Sequence, residues 1–484
     1  MILNKLLDNV DVIKTFGDLR VNVGSIHFDS RKIKENDLFI ALVGANKDGN
    51  SYIDKAISLG AKVIVCSKKP EILLDNITYI LSNDTHKVLA IISSNFYDNP
   101  SKKIRLIGVT GTNGKTSVVN LLYQLFTSLN YKCGMISTIE NIIDTERYLS
   151  TYTTPDPLQI NALLYKMVES KCLYCFMEVS SHAIDQKRIS YLNFTLGVFT
   201  NISHDHLDYH KNLRNYINTK KSFFDNLSKN SFALVNKDDK QALVMLQNSK
   251  ASHYTFSLKT ASDFKCKIIE HDFNGMLLRI DNNNVWVKLV GEFNAYNILA
   301  VYSIAILLKQ DSKEILKLVS LLSSTEGRFQ TFKSNAGVTA ILDYAHTDDA
   351  LDNVISTINL IKNKNQKLIT VFGCGGDRDK LKRPKMTRLA CYLSSKVILT
   401  SDNPRSEDIE NIISDMVFGL ENEYLMKTII IHDRKQAIKT AFSLANEGDV
   451  ILVAGKGHEK FQEIKGEKTP FDDKEQILNF LNIN

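Results

Sequence analysis

Residues 108–117 read Gly-Val-Thr-Gly-Thr-Asn-Gly-Lys-Thr-Ser, after an apolar run at 104–107 and before a helical pattern at 118–122. A strand, a glycine-rich turn and a helix start in that order make a phosphate cradle. Small residues let backbone N–H groups converge, and the helix N-terminus adds partial positive charge. Thr110, Gly111, Thr112, Asn113, Gly114, Lys115, Thr116 and Ser117 form the turn. Lys115 suits the terminal phosphates of ATP and the Thr116 hydroxyl suits Mg²⁺. Val109 stands where the strict spacing has glycine, so the loop is a variant P-loop. The chemistry predicted is binding and consumption of ATP.

Further polar clusters follow apolar, strand-like runs. Glu178 ends one such run, and a carboxylate there needs a cation, for which Mg²⁺ beside the phosphates is the natural choice and a structural ion pair the alternative. The segment 200–210 holds His204, Asp205, His206, Asp208 and His210. Zinc is conceivable there, but loop spacing without cysteines favours one histidine, His206, helping to hold a second Mg²⁺. Lys220 and Lys221, taken alone, read as a solvated helix face. In the last third, Asp343, the segment 373–379, Asp402-Asn403-Pro404-Arg405 and Gly455-Lys456-Gly457-His458-Glu459 each close a run. Arg383 and Arg405 are placed to fork onto a carboxylate, and Asp402 with Glu459 to hold an ammonium, which together describe a zwitterionic amino acid. A surface ion network is the bland alternative.

These residues need a scaffold. A chain of 484 residues is too long for one core, and two to four domains are expected. Hydrophobic and charged fractions of 44% and 24% are those of an ordinary globular protein. A net charge of +6 on scattered lysines argues against nucleic acid and for an anionic substrate. Seven cysteines, mostly in apolar runs, read as reduced thiols of a cytoplasmic protein; Cys172-Leu-Tyr-Cys175 has redox or metal spacing but lies in a buried run taken as 173–179. Asp8 and Asp11 interrupt the N-terminal apolar residues, against a signal peptide, and no run approaches the ~18 apolar residues of a membrane span. Strands expected at 37–43 and 61–66, with a helix at 52–59, make a small α/β unit over 1–99. A larger α/β unit over 100–331 has buried parallel strands at 174–179, 196–200 and 232–235, and antiparallel strands within 263–290. A third unit over 332–484, with strands at 339–342, 367–372, 396–400 and 450–454, reads as a doubly wound sheet whose polar clusters sit at the strand ends, where such folds bind ligands.

Taken in this order, from Asp29-Ser30-Arg31 to Gly457-His458-Glu459, the clusters resemble the Mur ligase family over essentially the whole chain. The resemblance implies an α/β protein of three domains: an N-terminal uridine-nucleotide domain, a central P-loop ATPase with a mostly parallel sheet, and a C-terminal Rossmann-like domain. It implies an ATP- and Mg²⁺-dependent amide ligase of peptidoglycan precursor synthesis. Its partners would be a UDP-N-acetylmuramoyl-dipeptide and meso-2,6-diaminopimelate, and it would act as a cytoplasmic monomer. Lys220 then aligns with a carbamylated lysine, whose carbamate would be an oxygen ligand for Mg²⁺ alongside Thr116, Glu178 and His206. Ser30 would contact uridine, and Thr153, Thr154, Ser180, Gln186 and Arg188 would hold the muramoyl-dipeptide. Asn297, Arg328 and Asp343 would contact ATP. Arg383, Asp402, Asn403, Arg405, Gly455 and Glu459 would take the incoming amino acid.

Asp402-Asn403-Pro404-Arg405 resembles the diaminopimelate-adding branch, and lysine-adding relatives tend to lack that arginine. The physics agrees, because diaminopimelate ends in a carboxylate that Arg405 can pair with, where lysine has only an ammonium. The chain departs from the family pattern at Asp348, commonly proline, and at Tyr152, frequently asparagine. The alternatives are a lysine-adding ligase, a folate polyglutamate ligase, and a nucleotide-gated regulatory protein that binds ATP without amino-acid-dependent ADP release.

Overall fold

The computed structural model describes residues 1–44, 47–334 and 337–481, with the side chain of Asp208 outside the description. Among the described residues, three large sheets follow one another along the chain, with a two-stranded ribbon, Phe461–Ile464 and Glu467–Pro470, near its end. The first has five strands in the order Lys14–Phe16, Thr78–Leu81, Val63–Cys66, Leu38–Ile40 and Ile26–His27, parallel except for the first. The expected helix at 52–59 is a short 3₁₀ turn, Gly49–Tyr52, running into Ile53–Ser58.

The second sheet has eleven strands. At its centre β1 (Arg105–Thr110) lies between β2 (Tyr174–Glu178) and β3 (Phe194–Phe199), all parallel. Successive residues of these strands face opposite covers, as strand geometry requires. Ile107, Phe176 and Val198 join a core with α1 (Lys115–Ser128) and α2 (Glu292–Leu307). Leu106, Cys175 and Phe199 join the other core, beneath Leu213–Asp225. Antiparallel strands across 264–287 finish one edge, as expected from the sequence. Leu173 is 42% exposed, so the buried run starts one residue later than read from sequence. All seven cysteines are free and buried.

The third sheet has six strands. Its parallel centre is β4 (Thr339–Asp343), β7 (Val450–Ala454), β5 (Leu368–Phe372) and β6 (Lys396–Leu399), in that spatial order. The carboxyl ends of β1 to β3 and those of β4 to β7 open onto one cleft of about 430 Å³, lined from both sheets. Among the described residues, no helix is long and apolar enough to cross a membrane.

Candidate active site

The phosphate end is built by the β1–α1 turn. Gly114 has φ +87°, and a Cβ there would lie 2.8 Å from Asn297 Oδ1, so α2 presses on the loop and only glycine fits. Asn297 therefore stands behind the loop, its amide donating to Asn294 Oδ1 at 3.1 Å. The loop is tied to the end of β3: Thr112 N–H donates to Asn201 O and Asn113 N–H to Asn201 Oδ1, both at 2.9 Å. Thr112, Asn113, Gly114, Lys115, Thr116 and Ser117 line the cleft, while Thr110 and Gly111 lie beneath it as acceptors.

Two lysines converge there. Lys115 Nζ donates to Gly111 O at 2.9 Å and Thr112 O at 2.7 Å. Lys220 Nζ donates to Gly111 O at 2.9 Å. Burial pushes both ammonium pKa values down, that of Lys220 well down, with the neighbouring Lys115 charge adding to the effect. The solvated face expected for Lys220 and Lys221 is corrected: both are buried, because this side of Leu213–Asp225 packs under β1 and Lys221 turns to Asp225 at 2.7 Å. Glu178, 1% exposed, accepts from Thr116 Oγ1 at 3.0 Å and from Thr138 N–H at 2.7 Å. These hard oxygens, next to a lysine whose amine is easily neutralised, suit Mg²⁺. Among the described residues, no group of three or more His, Cys, Asp or Glu side chains is arranged to hold a metal. His206 lines the cleft at φ +54°, 3.4 Å from Asp205, and burial lowers its pKa to about 4, so the imidazole is neutral near pH 7.

The predicted muramoyl-dipeptide residues divide. Thr153 and Ser180 line the cleft. Thr154 is buried, bridging Glu178 O and Ser180 N–H. Arg188 donates to Thr154 O and Gln186 Oε1, and lies over the Tyr152 ring at 5.5 Å, so the departure at Tyr152 gives this arginine a stacking surface. Ser30 is buried at the start of the 3₁₀ turn Ser30–Lys32 of the N-terminal unit, capped by Asp29, and is not among the residues that line the cleft. Asp343 accepts Phe329 N–H and Ala345 N–H, both at 2.7 Å, and ties two loops without lining the cleft. Arg328 does line it, over Tyr344 at 4.4 Å and 3.5 Å from Thr116 Oγ1.

The amino-acid end brings a clear correction. Arg383 has a fully buried side chain, donating to Glu407 at 2.9 and 3.0 Å, to Asp415 at 2.8 Å and to Gly375 O. It fastens the loop after β5 and cannot fork onto a ligand. Arg378 lines the cleft instead, on the loop that Arg383 holds. Asp402, Arg405, Gly455 and Glu459 line it as expected. Arg405 sits at φ +54°, held by the 461–464 strand through Glu463 O, and its guanidinium donates to Gly376 O at 2.7 Å. Gly455 has φ +110°, and a Cβ there would lie 2.7 Å from Asp402 Oδ2. Asn403 is buried behind this wall, donating to Glu459 Oε2 at 2.7 Å. Sequence reasoning missed Arg434, whose guanidinium donates to Ser401 O, Ala454 O and Asp473, joining the ends of β6 and β7 from below. Its signal, a charged pair separated by 39 residues, is invisible without the fold.

Comparison with known proteins agrees with this arrangement. Residues 22–97, 109–305 and 327–457 match, in turn, the Mur ligase family catalytic domain, the Mur ligase middle domain and the Mur ligase glutamate ligase domain. The chain is 51% identical over 99% of both chains to the UDP-N-acetylmuramoyl-L-alanyl-D-glutamate–2,6-diaminopimelate ligase of Phocaeicola vulgatus. It is 49% identical over 100% of both to that of Bacteroides thetaiotaomicron. A solved structure of a ligase of the same name superposes with TM-score 0.69 at 29% identity, covering 100% of this chain and 99% of the other. The order of the three matched domains and the full-length identity place the chain: it belongs to the Mur ligase family.

Proposed function

We propose that this chain is an ATP-dependent ligase joining meso-2,6-diaminopimelate to UDP-N-acetylmuramoyl-L-alanyl-D-glutamate, with release of ADP and phosphate. The observation that carries the reading is one cleft holding a phosphate loop with half-buried Lys115 and buried Lys220 at one end and an Arg/Glu/Asp wall at the other. The close relatives carry the name of this reaction over their full length.

An amide does not form from a carboxylate and an amine at neutral pH until a carboxylate oxygen becomes a leaving group. ATP supplies this: its γ-phosphoryl group moves from the ADP oxygen to the D-glutamyl γ-carboxylate, giving an acyl phosphate. Lys115 exchanges its loop carbonyls for the transferring phosphoryl oxygens, and the α1 N-terminus receives the phosphates. Mg²⁺, held by Thr116, Glu178, His206 and Lys220 as its carbamate, would neutralise charge on the phosphates. The diaminopimelate amine then attacks the acyl carbon, the bond to phosphate breaks, and the amine loses its proton as the amide forms. Thr153 and Ser180 position the dipeptide at the junction, and Arg328 reaches from the linker toward the nucleotide.

Selectivity lies at the far end. Arg405 and Arg378 present guanidinium groups to the distal carboxylate of diaminopimelate, while Asp402 and Glu459 face its ammonium. The lysine-adding alternative leaves both arginines unused. A heavy-oxygen label in the D-glutamyl γ-carboxylate tests the chemistry. The label should appear in the released phosphate; phosphate released without it would refute the acyl phosphate.

A further inference from the structure

The strand β7 ends at Ala454 and is followed by Gly455 and Lys456, and the Lys456 side chain is 0% exposed. Its ammonium lies inside the wall rather than in the cleft. It donates to Phe461 O at 2.6 Å, to Asn403 Oδ1 at 3.1 Å and to Glu459 Oε2 at 3.4 Å. Asn403 closes the triangle, donating to the same Glu459 oxygen at 2.7 Å and accepting Glu463 N–H at 2.9 Å. Among the described residues, the other carboxylate oxygen, Oε1, accepts a long contact from Tyr344 OH at 3.4 Å, on a ring that itself lines the cleft. One oxygen is thus bound from behind and the other is offered forward.

The Glu459 carboxylate is half-buried, its side chain 20% exposed. Burial, with Asp402 beside it, raises the Glu459 pKa, and Lys456 opposes that rise. The groups facing Glu459 are Asp402 after β6, Tyr344 after β4 and Lys456 on its own loop; Arg434 adds its charge from beneath.

We propose that Lys456 is a positioning residue for the amino-acid substrate: with Asn403 it fixes Glu459 Oε2, so that Oε1 faces the cleft as an ionised acceptor for a substrate ammonium. The inference rests on the proposed amino-acid ligase reading and adds to it a residue that does not touch substrate. It also explains why a lysine sits in a wall otherwise built to attract a cation. Without it, the Glu459 carboxylate would face the neighbouring Asp402 charge with no cation against it on its own loop.

The test uses the full chain with ATP, Mg²⁺ and the UDP-muramoyl-dipeptide, following phosphate release against diaminopimelate concentration from about pH 6 to about pH 9. Lys456→Met removes the charge at similar volume. Lys456→Gln keeps a donor toward Phe461 O and is the second variant should the first not fold. KM for diaminopimelate should rise by roughly 10- to 100-fold in either, while KM for ATP stays within about twofold. The rise should be steeper at low pH, because Glu459 then protonates more readily, and Lys456→Arg should restore part of the affinity. A folded variant with unchanged KM for diaminopimelate, or with all KM values raised alike, would overturn the proposal. Wild-type protein that releases no phosphate in response to diaminopimelate would instead overturn the ligase reading.

Discussion

The two ends of the cleft bury positive charge in opposite ways. At the phosphate end Lys115 and Lys220 donate to main-chain carbonyl oxygens, which carry no formal charge, and burial depresses both amines. At the amino-acid end Arg383 and Arg434 donate to carboxylates and are fully enclosed. For Arg434, burial works against the charge and Asp473 more than reverses it. A cation left on neutral acceptors marks where an anionic ligand is to arrive; one matched by carboxylates holds the protein together. Arg405 belongs with the first kind, donating to Gly376 O within the cleft wall.

Substitutions that treat the two kinds alike should therefore give different outcomes. The largest effect is expected for Lys115→Ala, a fall in turnover of at least about 10³-fold with the fold intact, read by phosphate release and circular dichroism. Near-normal turnover would erase the distinction from one side. Arg434→Leu strands Asp473 in the core and should cost about 3–5 kcal/mol of stability, read by denaturant unfolding; a shift in KM alone with full stability would erase it from the other. Arg405→Ala should leave stability within about 0.5 kcal/mol and raise KM for diaminopimelate roughly 10- to 100-fold, with Arg405→Lys between the two.

The last prediction concerns pH. Burial lowers His206 to about 4 and His458 to about 3, below the ordinary imidazole value near 6.5. The unfolded chain then binds more protons than the folded one between these values. The stability is fully present above about pH 6.5 and is lost progressively as pH falls toward about 3. Tm should decline over that window; a flat Tm there would contradict the depressed imidazoles.

Much of this was legible in the sequence because it depends on neighbours in the chain. The strand–loop–helix at Lys115, the carboxylate at the end of β2 and the Asp402–Arg405 turn are local patterns, and the fold puts them at the cleft. The failures depend on long-range partners. Arg383 and Arg378 lie on the same short stretch, and nothing nearby says which is buried. Glu407 and Asp415, 24 and 32 residues downstream, decide it. Thr154, Asn297, Asn403 and Asp343 are polar residues next to the site that spend their hydrogen bonds on other protein groups and stand one layer behind the lining. Lys220 misled in the opposite sense, since a lysine pair on a polar helix gives no sign that the P-loop closes over it.

The selectivity assigned to the arginine wall is tested most directly by one assay. Purified protein is supplied with ATP, Mg²⁺ and UDP-N-acetylmuramoyl-L-alanyl-D-glutamate, and phosphate release is compared across a panel of amino acids. Release should depend on meso-2,6-diaminopimelate, with L-lysine and L-glutamate far poorer. Equal release with lysine, or release indifferent to any amino acid, would contradict the account.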